Sequence, residues 1–240
     1  MANIAVIFAG GIGRRMNNKA LPKQFLKLRG KEIIIYTLEH FENHAEIDGI
    51  VIACVEEWIP YLQKMIDKYQ LKKVAGIVPG GITGQDSIFQ GLDAAGKIYG
   101  REGIVLIHDG VRPLIEEKTI TDCLASVRTY GSAITVAPVV ETIIRVDDDD
   151  RIKDVIERSE CLVARAPQCF YLCDILESHL NAQKEQLHDF IDSASIMRYY
   201  GYSLATVSGP VENIKITTPM DFYTFRALYD AREGSQLFGS

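Results

Sequence analysis

The chain has 240 residues, 47% of them hydrophobic and 24% charged, with a formal net charge of −6. That length and apolar content suffice to close one large core, and the even composition excludes disordered, collagen-like and low-complexity classes. The acidic balance excludes a surface built to coat nucleic acid or an anionic membrane, so an anionic ligand has to be met by locally placed cations.

In chain order, short Ile- and Val-rich runs at residues 4–8, 49–55, 74–78, 103–107 and 133–139 read as strands buried on both faces. They alternate with amphipathic stretches at 33–44, 58–69, 86–99 and 116–130. This alternation predicts an α/β protein, one domain over residues 1–240 with a mostly parallel sheet flanked by helices. Farther along, helices are expected at 173–184, 193–200 and 219–233, and a strand at 203–207. One segment breaks the rhythm. Two alternating runs, 141–146 and 151–156, flank Asp147-Asp148-Asp149-Asp150, and four acidic turn formers between strand-like runs predict an antiparallel hairpin. As an arm over about residues 140–160, it would carry apolar Ile143, Val146, Ile152 and Val155, which a second copy of the chain would cover. A calcium loop is the competing reading of the aspartates, but consecutive carboxylates lack the spaced ligands of such a loop.

The N-terminal MANIAVIF has no basic region, and no apolar stretch is long enough to span a bilayer, which predicts a cytoplasmic protein. Five scattered cysteines without a C-x-x-C pair predict neither a disulfide framework nor a zinc knuckle. His40 and His44 have a metal-binding i, i+4 spacing but no third ligand, and histidine near a helix C-terminus is favoured by the dipole alone.

Chemistry is concentrated after the first strand, in Phe8-Ala9-Gly10-Gly11-Ile12-Gly13-Arg14-Arg15-Met16. A glycine-rich loop at the carboxyl edge of a parallel sheet offers backbone N–H groups to phosphate oxygens. Met16 at the third position fails the dinucleotide fingerprint, which counts against a dehydrogenase, and no Gly-Lys-Ser/Thr follows to make a P-loop. Instead, Arg14, Arg15 and the later Pro22-Lys23-Gln24-Phe25 place fixed positive charge beside the glycines of an acidic protein.

These two blocks resemble the signature of sugar-phosphate nucleotidylyltransferases, specifically the cytidylyltransferases acting on methylerythritol 4-phosphate or ribitol 5-phosphate. The resemblance continues through His108-Asp109-Gly110-Val111-Arg112-Pro113, Ala166-Pro167-Gln168 and Glu212-Asn213-Ile214-Lys215-Ile216-Thr217-Thr218-Pro219, and so covers almost the whole chain. It implies a Rossmann-like nucleotidyltransferase fold, CTP and a small polyol phosphate as substrates, and in-line attack on the α-phosphate with loss of pyrophosphate. By the same resemblance Arg15 and Lys23 would hold the triphosphate, and Lys215 would approach the α-phosphate from the other side. Ala9, Gly10, Gly11 and Gly13 would cradle the nucleotide, with Gly80, Gly81 and Ser87 around the base. Ser87 could instead cap the following helix. Asp109 would meet the ribose or help hold Mg²⁺, an ion expected mainly on the phosphates. Arg112 would meet the attacking phosphate. The arm would make a homodimer and reach the partner's site with Thr142 and Arg158, the latter a phosphate clamp.

Two departures stand out. Gly84 occupies a place where the family usually has Arg, leaving Gln85 as a candidate substitute and a nucleotide-binding protein without catalysis as a competing reading. Ile191-Asp192-Ser193-Ala194-Ser195 replaces the Thr-Asp-(Asp/Glu)-Ala-Ser of methylerythritol enzymes, with Arg165 standing before Ala166, and this variant together with Val111 looks closer to the ribitol branch.

Overall fold

The structure, a computed structural model, describes residues 1–10 and 21–238. The chain opens with β1 (Ala2–Ala9) and, after the glycine loop, a small hairpin of β2 (Lys27–Leu28) and β3 (Lys31–Glu32). There follow α1 (Ile33–Asn43), β4 (Gly49–Cys54), α2 (Ile59–Tyr69), β5 (Val74–Pro79), α3 (Gly84–Tyr99), β6 (Gly103–Asp109), α4 (Glu117–Tyr130) and β7 (Ser132–Pro138). The arm is β8 (Ile143–Val146) and β9 (Ile152–Ile156), after which come β10 (Leu162–Tyr171), α5 (Leu172–Lys184), α6 (Ser193–Tyr199), β11 (Thr206–Ser208) and α7 (Pro219–Phe238).

Among the described residues the central sheet has seven strands in the order β11-β7-β10-β6-β1-β4-β5. β1 runs parallel to β4 and β6, and β10 runs antiparallel to both β6 and β7. Alternation along β1 divides the core. Ala5, Ile7 and Ala9 pack with residues of α1, α2 and α4, and Ile4 and Val6 with residues of α3, α5 and α6. α3 lies so close to β1 that a Cβ on Gly91 would stand 2.6 Å from Val6 Cγ1, so this helix position requires glycine.

Most expected elements appear within one or two residues of their sequence bounds. The short β2–β3 hairpin and β10 are not anticipated by the sequence; in β10, Arg165 and Pro167 interrupt the apolar run, and the register shifts between Ala164 and Gln168, where proline cannot donate to the ladder. The late strand starts at Thr206 rather than 203, and a 3₁₀ turn at Glu56–Trp58 precedes α2, which carries Pro60 in its first turn.

The four aspartates do form the arm's turn, with Asp147 Oδ1 accepting from the backbone N–H of Asp149 at 3.0 Å and of Arg151 at 2.9 Å. The arm's apolar stripe differs from the expected one by a residue. Pairing of Ile144 with Val155 and of Val146 with Ile152 gathers these four exposed side chains, while half-buried Ile143 pairs with Ile156; the irregularity after Arg145 sets the stripe. His40 and His44 are committed locally, through Nε2 contacts of 3.0 Å with Pro113 O and with Thr121 Oγ1. Among the described residues no group of three or more His, Cys, Asp or Glu could hold a metal ion, and no helix is long and apolar enough to cross a membrane.

Candidate active site

Gly10, Gly80 and Gly81 converge on the first turn of α3. A Cβ on Gly10 would stand 2.6 Å from Ser87 Oγ, and one on Gly80 would stand 3.0 Å from the same atom. Only bare backbone fits there, and the helix N-terminus beneath it favours an anion. Ser87 is not the cap. Thr83 caps α3 in a reciprocal pair with Asp86, while Ser87 Oγ donates to Thr83 O at 2.9 Å and accepts from Gly81 N–H at 3.1 Å. Ala9 ends β1 beside this cradle, and Gly11, Gly13, Arg14 and Arg15 lie outside the described residues.

Lys23 is placed by its neighbours. Gln24 is buried and donates from Nε2 to Ala9 O at 2.7 Å, tying the Pro-Lys-Gln-Phe turn to the end of β1. Phe25 is buried between Trp58 and Tyr61, with ring centroids 5.2 and 5.1 Å away, so the lysine stands on a fixed two-point mount.

On the other side of β1, β6 ends in His108-Asp109, and the Asp109 carboxylate is buried between two cations. Arg112 Nε donates to Oδ2 at 2.7 Å, and Lys215 Nζ pairs with Oδ1 at 2.5 Å. Burial alone would push this carboxyl up; Lys215 and Arg112 overcome that and hold it at about 2. Lys215 reaches the site from more than 100 residues away because its flanks are anchored. Ile216 is buried and donates its N–H to Val111 O at 3.0 Å, Asn213 Nδ2 donates to Ala166 O at 2.8 Å, and Asp221 Oδ2 accepts from the N–H groups of Thr217 and Thr218.

These groups border a cavity of about 360 Å³ that runs from Phe8, Asp109 and Lys215 past Arg165 to Ile191 and His179. Its far wall is held by residues that sequence spacing does not single out for this task. Gln85 donates to Leu187 O at 2.9 Å and accepts from Phe190 N–H at 3.2 Å; it is thus a tether for the 187–190 loop and does not replace the family's arginine. Space is not what excludes that arginine, since a Cβ on Gly84 would meet nothing within 4 Å. Gln168 clamps the start of α6, donating to Asp192 Oδ2 and accepting from Ala194 N–H, both at 2.8 Å. Ile191, which is exposed, and Asp192 line the cavity, whereas Val111 is buried against the α7 cluster and does not. Thr142 and Arg158 are exposed on the arm and do not line the cavity of their own subunit; Arg158 Nη1 donates to Val140 O at 3.0 Å.

The described residues build no all-protein cage for Mg²⁺: Asp109 is a single carboxylate with each oxygen against a cation, so a Mg²⁺ ion here would take its remaining oxygen ligands from substrate phosphates and water.

A mostly parallel sheet whose carboxyl edge carries a turn of closely packed glycines at the start of α3 and a cationic cavity at the end of β6 has the arrangement in which open α/β sheets bind ligands. The family described as IspD, 2-C-methyl-D-erythritol 4-phosphate cytidylyltransferase, matches residues 3–230, and the chain belongs to it. The protein is therefore a nucleotidyltransferase of the cytidylyltransferase class, and the dehydrogenase reading is set aside. A ribitol-5-phosphate cytidylyltransferase of Vibrio parahaemolyticus serotype O3:K6 is 51% identical over 99% of this chain and 100% of its own. Another of that name, from Streptococcus agalactiae serotype V, is 49% identical over 100% of both chains. A 2-C-methyl-D-erythritol 4-phosphate cytidylyltransferase of Clostridium novyi is 38% identical over 91% of this chain and 93% of its own. The crystal structure of 4-diphosphocytidyl-2C-methyl-D-erythritol synthase from Anaerococcus prevotii superposes with a TM-score of 0.83 at 24% identity, covering 95% of this chain and 96% of that one, a likeness of fold.

Proposed function

We propose that the protein transfers CMP from CTP to ribitol 5-phosphate. An oxygen of the ribitol phosphate attacks the α-phosphorus, the bond to the β-phosphate oxygen breaks, and CDP-ribitol and pyrophosphate leave. The attacking phosphate is already an anion, so the reaction needs no general base, and its barrier is lowered chiefly by positioning and by fixed positive charge. The observation that carries this reading is the junction at the end of β6, where Lys215 and Arg112 stand against one buried carboxylate between a glycine cradle and an open cavity.

In this reading Gly10, Gly80, Gly81 and Ser87 receive the nucleotide, with Ala9, Gly11 and Gly13 completing the cradle. Lys215, Arg15 and Lys23 neutralise the triphosphate, and Arg112 takes the incoming phosphate. Mg²⁺ would arrive on the CTP phosphates and add to the neutralising charge, and Asp109 is the carboxylate that would help hold it. CTP draws on the cytoplasmic nucleotide pool, which is where the enzyme would work. The exposed stripe of Ile144, Val146, Ile152 and Val155 supports a homodimer in which the arm carries Thr142 and Arg158 to the partner's polyol phosphate.

Ribitol 5-phosphate is preferred over methylerythritol 4-phosphate because the two ribitol relatives, 51% and 49% identical, match over the full length, against 38% for the methylerythritol relative. The deciding experiment is pyrophosphate release with CTP, Mg²⁺ and each polyol phosphate at equal concentration. A preference of about tenfold or more for ribitol 5-phosphate is expected, equivalent to one well-placed polar contact. Preference for methylerythritol 4-phosphate moves the enzyme to the other branch, and CTP binding without any turnover favours the non-catalytic reading.

Two substitutions separate the half-sites. Gly10→Ala forces its Cβ against Ser87 Oγ and is expected to raise KM for CTP about tenfold, the cost of disturbing one or two hydrogen bonds. Arg158→Ala is expected to raise KM for the polyol phosphate about tenfold or more while KM for CTP stays put, since a charge-assisted clamp is lost from one substrate alone. Steady-state titration of each substrate reads both; an equal rise in the two KM values for Arg158→Ala would remove the arm from the polyol site.

A further inference from the structure

Beyond the groups already placed, the cavity contains a third cation. Arg165 projects from the middle of β10, the strand that borders β6 on the side away from the glycine cradle. Its Nη1 donates to Asn213 O at 2.7 Å, and Arg112 Nη1 donates to the same carbonyl at 2.9 Å. Two guanidinium groups thus share one neutral acceptor, while the Asp109 carboxylate faces Arg112 and Lys215. Arg165 Nε is buried and makes no hydrogen bond, and among the described residues the side chain forms no ion pair, Glu212 acting on it only at longer range. Burial and the neighbouring Arg112 charge push its pKa down, yet a guanidinium stays charged at any physiological pH. A half-buried positive charge of this kind with a buried, idle donor calls for an anion.

The sheet order says which anion. Gly10, Gly80, Gly81 and Ser87 lie on the β1, β4 and β5 side of β6, whereas Arg165 and the arm lie on the β10 and β7 side. In the proposed function the nucleotide is received on the first side, with its α-phosphate at Lys215 beside Asp109, so the second substrate's phosphate approaches from the second side. We infer that Arg165 is a substrate-binding residue that grips the phosphate of the polyol, pairing with Arg112 to hold it on the β10 side of Asp109. This deepens the proposed function and rests on it. Its chemical sense is that an attacking dianion has to be brought close to a triphosphate, and two guanidinium groups can neutralise it while leaving one oxygen free to attack.

The test compares the wild type with Arg165→Gln, which keeps size and polarity without charge, and with Arg165→Lys, which keeps charge without the fork. In pyrophosphate release, Arg165→Gln is expected to raise KM for ribitol 5-phosphate about tenfold or more, with KM for CTP within about twofold and the melting temperature unchanged. Arg165→Lys should recover part of the loss, which a purely structural role would not produce. Equal rises in both KM values, or no rise in either, overturn the assignment. Calorimetric titration with ribitol 5-phosphate keeps the two proposals apart. A wild type that releases no pyrophosphate sinks the proposed reaction, while Arg165 is then decided by binding: weaker binding to Arg165→Gln upholds it, and equal binding, or binding to neither protein, overturns it.

Discussion

Lys215→Ala is expected to lower kcat by about a hundredfold or more while the protein still folds, the usual loss when a preorganised charge-stabilising donor is removed. The lysine side chain is 39% exposed, so its truncation leaves little cavity, and the anchors on either side of it, Asn213 and Ile216, are buried and remain. What changes is electrostatic. Lys215 is the largest of the influences that lower the Asp109 pKa, so its loss raises that pKa and leaves Arg112, among the described residues, the one cation paired with the carboxylate. Lys215→Arg restores charge but spreads it over a planar fork, and is expected to recover only part of the rate. Stopped-flow single turnover with saturating CTP reads the chemical step, and a melting curve on the same sample reports the fold. A chemical step within about threefold of wild type in Lys215→Ala would place the α-phosphate elsewhere, since about threefold is too little for the loss of a preorganised charge contact.

The sequence made this site legible in halves. Periodicity locates β1, β4 and β6 because strands covered on both faces must be apolar throughout, whereas β5, also read from its apolar run, is a partly exposed edge strand; glycines after the first strand mark the ligand edge. The convergence of Asp109, Arg112 and Lys215 is different in kind. Nothing local tells a lysine near residue 215 that it will pair with a carboxylate at 109, and only resemblance to a family brought them together in advance. The reason is visible in the anchoring: Asn213 binds a carbonyl on β10 and receives two arginines, contacts that span 47, 48 and 101 residues. Gln85 and Gln168, whose tasks are to hold loops 102 and 24 residues away, were illegible for the same reason. Where a local rule did apply, it was sometimes the wrong one. Thr83 and Asp86 stand three apart ahead of an apolar run, the spacing of a reciprocal cap, and they displace Ser87 from that role. β10 escaped because a charged residue and a proline sit in its middle: Arg165 lines the cavity and Pro167 falls at the register irregularity between Ala164 and Gln168.

That division between site and scaffold also governs how the protein should respond to acid. His108 and His179 are both buried, and burial holds their pKa values at about 3 and about 4, with Asp109 and Asp86 respectively pulling the other way without prevailing. Each is therefore neutral in the folded chain at a pH where the unfolded chain, with its ordinary histidine pKa near 6.5, has already taken up a proton. The unfolded state binds more protons in this window, so stability rises with pH and falls as pH drops from about 6.5 toward the folded values. Each histidine contributes a slope of up to about 1.4 kcal/mol per pH unit, and the pair together removes about 4 kcal/mol by pH 5, a large share of an ordinary domain's stability of about 5–15 kcal/mol. His40, lowered chiefly by burial, acts in the same direction. Asp109, depressed to about 2, has the opposite window: its stabilisation is complete above about pH 4 and disappears only as pH falls through 2, so it does not blur the histidine transition. Urea titrations between pH 7 and pH 4.5 are expected to show the midpoint falling steeply below pH 6.5. His179→Leu keeps an apolar group against Phe89, whose ring lies 6.1 Å from the imidazole, and should flatten the slope by about half while leaving His108 beside the site untouched. A wild-type profile that is level across this range would mean that both rings take up protons in the folded state, and a His179→Leu slope equal to the wild type's would mean that His179 alone does so, its side of the core admitting water.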